Sequence, residues 1–88
     1  MAAGDTELMR RYHVGGLRGQ IWNITSNGTT GVEVKTGLTL VHSVSYVWTE
    51  DIGGTAHILE CAISGGVVTV TCSGAVTKNA TLTILGDP

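Results

Sequence analysis

The groups in this 88-residue sequence that could do chemistry are few: three histidines, two cysteines and one adjacent acidic pair. His57 lies in strand phase with Leu59 and Cys61, so a site made of His57, Cys61 and Cys72 can be drawn on paper. It has no CxxC or HxxxH spacing and no fourth ligand, and zinc sites need both a ligand set and a spacing. Satisfied core or edge histidines are the expectation for His42 and His57. Glu50 and Asp51 are neighbours, and in an extended strand neighbours point to opposite faces, so they would not share one proton. A solvated loop is the simpler reading of the pair. Gly15-Gly16 and Gly53-Gly54 open no helix and are followed by no Lys-Ser/Thr, so neither is a phosphate loop. No Ser, Thr or Cys can be matched with a base. The sequence predicts neither an enzyme nor a bound metal or cofactor.

What must position these groups is a set of strands. Val32–Lys35 alternates cleanly, and Leu38, Leu40, Val44, Tyr46 and Trp48 fall on one phase of a longer run. Leu59, Cys61 and Ile63 share a face, as do Val68, Val70 and Cys72, and later Ala80, Leu82 and Ile84. Turn signals separate the runs at Ser26-Asn27-Gly28, Thr36-Gly37, Gly53-Gly54, Ser64-Gly65-Gly66 and Ser73-Gly74. Six strands are predicted, near 17–25, 31–36, 39–49, 55–63, 67–73 and 79–85, the last three as a meander. This is an all-β pattern, a small antiparallel β-sandwich or partly open barrel. A two-residue turn at Gly65-Gly66 puts Ser64 opposite Val67, Cys61 opposite Val70 and Cys72 opposite Leu59. The two cysteines are then diagonal, too far apart for easy disulfide geometry. A disulfide, a metal pair and buried thiols are the alternatives, and reduced, buried thiols fit the register best.

Residues 1–14 differ from the rest and are read as an N-terminal arm, with 15–88 as a single β domain. The arm lacks period-two alternation. It reads as a short helical turn capped by Asp5, an extended segment that grips a partner, or an ordinary frayed terminus. Contacts with a partner are expected at Leu8, Met9, Arg10, Arg11 and Tyr12. Trp22, which breaks phase with Ile21, is expected to be the exposed aromatic and joins that set. Charged residues make up 14% of the chain, and from Ile52 onward only Glu60, Lys78 and Asp87 carry charge. A surface so poor in charge on so small a domain points to contact with other protein, including other copies of itself. The rest of the sheet surface is rich in Ser and Thr: Ser43, Ser45, Thr69, Thr71, Thr81 and Thr83 form one expected polar face. It suits either protein contact or a solvated outer side.

A formal charge of −2 leaves no footprint for nucleic acid. The first twenty residues hold no apolar core of a secretion signal, and no stretch is long enough to span a membrane. Synthesis in a cytoplasm is the expectation, with neither nucleic acid nor membrane as partner. All three asparagines begin N-x-T triplets, which in so Thr-rich a chain read as coincidence.

Tyr12-His13-Val14-Gly15-Gly16-Leu17-Arg18, Ile63-Ser64-Gly65-Gly66-Val67-Val68-Thr69-Val70 and Thr77-Lys78-Asn79-Ala80-Thr81-Leu82-Thr83 resemble phrases of small Gly/Thr/Val-rich virion proteins of tailed bacteriophages. The resemblance implies a capsid decoration (cement) protein. Such a protein sits on the outer surface of the head, often as a trimer, and bridges and stabilises the major capsid protein. The implied location is the virion, after synthesis in the host cytoplasm. Another virion part, a head fibre base or tail protein, is the nearest alternative. A carbohydrate-binding β-sandwich using Trp22, Tyr46 or Trp48 is the alternative from a different class.

Overall fold

The computed structural model describes residues 1–53 and 56–88. It is all-β, with seven antiparallel strands in two sheets. The strands are β1 (Thr6–Val14), β2 (Leu17–Thr25), β3 (Val32–Lys35), β4 (Leu40–Trp48), β5 (Leu59–Ser64), β6 (Val67–Cys72) and β7 (Asn79–Asp87). One sheet runs β1-β2-β7-β4 and the other β3-β6-β5. The expected strands from residue 17 onward are present, except that β5 begins at Leu59; residue 55, where that run was expected to start, lies outside the described residues.

The core forms between the sheets from residues that alternate along them. Ile24, Val41, Ala80, Leu82 and Ile84 come from the four-stranded sheet, and Val34, Leu59, Val68, Val70 and Cys72 from the other. Ile24, Leu82, Ile84, Val34 and Val68 are wholly enclosed. Each fully buried Leu, Ile or Val contributes about 1.5–3 kcal/mol relative to exposure. The hairpin β5–β6 has the expected register, with Ser64 opposite Val67, Cys61 opposite Val70 and Leu59 opposite Cys72. Gly65 takes φ of 60°, which the tight turn requires. Gly66 lies against the backbone carbonyl of Leu38, where a Cβ would collide.

Three features depart from expectation. The chain between β6 and β7 crosses from one sheet to the other, so the last three strands are not a meander: β7 pairs with β2 and β4. The polar residues expected on one face are therefore divided, Thr69 and Thr71 on one sheet, Ser43, Ser45, Thr81 and Thr83 on the other. The segment 6–14 is neither a helical turn nor a loose extension but a strand, β1, hydrogen-bonded to β2 at the edge of the larger sheet. Finally, a bulge between Val41 and Ser43 inverts the phase of β4. Val41 points into the core before it, Val44, Tyr46 and Trp48 after it, and Leu40 is turned out to solvent. His42, expected on the apolar phase, sits in the bulge with its Nε2 3.0 Å from Asp87 Oδ1, both side chains nearly half exposed.

Buried polar side chains tie the two ends of the sandwich. Gln20 donates from Nε2 to the Thr36 carbonyl and accepts from Trp22 Nε1 through Oε1. Thr36 Oγ1 donates to the Gly66 carbonyl and accepts from the Leu38 N–H. At the other end Ser26 Oγ donates to the Val76 carbonyl at 2.6 Å and accepts the Lys78 N–H at 3.0 Å. These bonds fasten the crossover that carries β7 between sheets.

Both cysteines are free, Cys72 in the core and Cys61 partly covered. Burial pushes the Cys61 thiol above its ordinary 9.0. The thiol is therefore protonated and a poor nucleophile at neutral pH. Because the folded state holds that proton more tightly than the unfolded chain, its stabilising contribution is complete below pH 9 and is lost as pH rises through the raised value. Titration with a thiol reagent at pH 8 is expected to find two groups that react at least about tenfold faster after denaturation. An intact Cys61–Cys72 bridge seen by mass spectrometry would contradict the hairpin register.

Candidate protein-contact surfaces

The outward face of the larger sheet is built by register. Three rows cross it: Ser43, Leu85, Gly19 and Tyr12; Ser45, Thr83, Ile21 and Arg10; and Val47, Thr81, Asn23 and Glu7. On β4, β7 and β2 these rows contain no charge. Charge appears only on the edge strand β1. Tyr12 lays its ring across Gly19, where any Cβ would strike it, so an aromatic side chain covers the bare backbone of the neighbouring strand. Thr81 Oγ1 donates to Asn23 Oδ1 at 2.9 Å. Val47 stands 60% exposed at the end of its row.

The six residues expected to meet a partner are not on one surface. Leu8 pairs with Trp22 on the inward phase, and both are half-buried. Trp22 packs on the core, so it is not the exposed aromatic that its phase against Ile21 implied. Met9 occupies a bulge and is 53% exposed. Arg10 and Tyr12 point outward with Ile21 and Gly19, while Arg11 shares the inward phase with Gln20.

That inward phase leads to a groove of ≈ 300 Å³ at the tip of the β1–β2 hairpin. Arg11, His13 and Arg18 line it on the strand side, Thr36, Gly37 and Leu38 on the other. Arg18 Nη1 donates to His13 Nε2 at 2.8 Å. Among the described residues His42–Asp87 is the one contact within 4.0 Å between a basic side chain and a carboxylate, so no carboxylate sits within 4.0 Å of either groove arginine. At the far end of the sheet Glu50 Oε1 accepts the Asn79 N–H at 2.8 Å and Asp51 Oδ1 accepts the Gly53 N–H at 2.9 Å. The acidic neighbours thus hold separate backbone groups.

The other chemical candidates do not converge. Among the described residues no three His, Cys, Asp or Glu side chains are grouped to hold a metal ion. His57 packs against Gly74, and its carbonyl accepts the Trp48 Nε1 proton at 3.1 Å. Tyr46 and Trp48 meet edge to face at 6.4 Å and are packed on the core. The groove escaped the sequence reading because it exists only once antiparallel strands are set side by side; of the expected Ser/Thr face, Ser43, Ser45, Thr81 and Thr83 do lie together on the outer side of the larger sheet. Comparisons with family models, with curated proteins and with solved structures find no match to the chain.

Proposed function

We propose that this chain is a structural protein of a virus particle, of the capsid decoration kind, which works through contacts with the major capsid protein and with copies of itself, as a trimer. The observation that carries the reading is the outer face of the four-stranded sheet, where three rows carry no charge on β4, β7 and β2 and Ser45, Thr83 and Ile21 form the central row. Over β4, β7 and β2 such a face can pair its hydroxyls across an interface without desolvating a charge. The phrases that resemble those of small phage virion proteins support the same reading, as does a size that leaves little margin for a lone monomer. The carbohydrate alternative draws less support, because Trp22, Tyr46 and Trp48 are committed to core packing and leave no open stacking platform.

Ser45 is exposed at the centre of β4, so placing a charge there leaves the fold alone. The S45E variant is expected to keep the wild-type circular dichroism and midpoint of unfolding. Its attachment to phage heads should fall at least about tenfold, because a buried unpaired carboxylate costs several kcal/mol. Undiminished attachment would remove this face from the account.

A further inference from the structure

The ionised side chains are sorted along the strands. Arg11, Arg18 and Lys35 lie toward the end where Thr36 and Gly66 meet, with His13 beside them. Asp5, Glu7, Glu50, Asp51 and Glu60 lie toward the other end, where Thr25, Ser26 and Asn79 meet. Two charges run against the pattern. Asp87 at the basic end is paired with His42, and Lys78 sits at the acidic end. Arg10 and Glu33 fall near the middle of their sheets.

The two poles cannot satisfy each other within one molecule. A nine-residue strand separates them by about 25–30 Å, several times the screening length of roughly 8 Å at physiological salt. The molecule is elongated, 40 Å by 21 Å by 21 Å. The basic pole is also concave, a groove with two guanidiniums and no Asp or Glu side chain in its lining, closed on one side by Pro88, while the acidic pole carries the adjacent exposed carboxylates of Glu50 and Asp51. Arg11 and Arg18 are diagonal neighbours across β1 and β2, close enough for both to reach one carboxylate.

We infer that copies of this chain associate head to tail, the Glu50-Asp51 loop of one copy seated on the Arg11/Arg18 groove of the next. The inference rests on the reading that the chain self-associates, and it names the contact. The occupant is a second copy because the complementary charge, at the complementary end, is present on the same molecule. The contact is heterologous: each copy offers a groove to one neighbour and a loop to another.

Charge exchange tests it by sedimentation velocity. Wild-type protein is expected to associate at low salt and to weaken at least about tenfold on passing to half-molar salt. R11E/R18E and E50K/D51K are each expected to be monomeric, and their equimolar mixture to associate again, since exchanged groove then meets exchanged loop. Should a reversed variant fail to fold, R11Q/R18Q and E50Q/D51N replace the pair. The latter keeps acceptors for the Asn79 and Gly53 N–H groups, and both neutral variants should be monomeric. Variants that associate as tightly as wild type would overturn the contact while leaving self-association intact, as would a reversed-charge mixture no more associated than its parts. A wild-type chain monomeric at every concentration and salt would overturn both.

Discussion

Leu82→Ala is expected to bring the domain to the edge of unfolding. Leu82 is completely enclosed at the centre of β7, between Trp22 on β2 and Tyr46 on β4, and faces the second sheet. Truncating a buried leucine removes its transfer free energy and leaves a cavity that a two-sheet core cannot readily close, a loss of about 2–5 kcal/mol. Small domains have only about 5–15 kcal/mol in total, with the smallest at the low end. Urea unfolding followed by the fluorescence of Trp22 and Trp48 should show the midpoint falling by a third or more. A change below about 1 kcal/mol would mean that β7 is not the spine of the core.

Ser26→Ala is expected to cost about 1–3 kcal/mol although it removes one oxygen atom. The hydroxyl is 2% exposed, donates to the Val76 carbonyl and accepts the Lys78 N–H. Removing it leaves the part-buried Lys78 N–H without its acceptor, at about 1–3 kcal/mol, while the Val76 carbonyl keeps the Gly28 N–H as a donor. These are the groups that hold the crossover from β6 to β7, so the loss is expected to speed hydrogen exchange in 74–79 before the rest of the fold. Ser26→Thr would keep the hydroxyl but crowd the site, and should recover part of the loss. Wild-type stability for Ser26→Ala would show that water replaces the hydroxyl there.

The contrast between these two residues shows what the sequence discloses. Leu82 was legible because Ala80, Leu82 and Ile84 alternate with Thr81 and Thr83, the pattern that one-sided burial imposes on a strand. Gly65-Gly66 fixed a register that placed Cys61 opposite Val70, as the hairpin has it. Ser26 read as part of a turn signal, and nothing local marks a serine whose partners are 50 and 52 residues away. β1 was hidden for a related reason. An edge strand with solvent on both sides has no buried face to impose alternation, and the bulge at Met9 breaks what remains. The bulge at His42 likewise turned a reading of β4 that was right in period into one wrong in phase for Leu40. The division of β6 and β7 between sheets depends on pairing partners that adjacency along the chain does not reveal. Charge sorting is the extreme case: Arg11 and Arg18, or Glu7 and Glu50, become neighbours in meaning only after strands of opposite direction are aligned.

Saturation binding is the sharpest test of the proposed role, binding other protein on a virus head. Purified protein is titrated onto empty heads of tailed phages, and bound chain is counted against major capsid protein after sedimentation. The account predicts saturation at a fixed whole-number ratio, with S45E failing to reach it at the same concentrations. Binding that never saturates, or no binding at all by a folded wild-type chain, would contradict it.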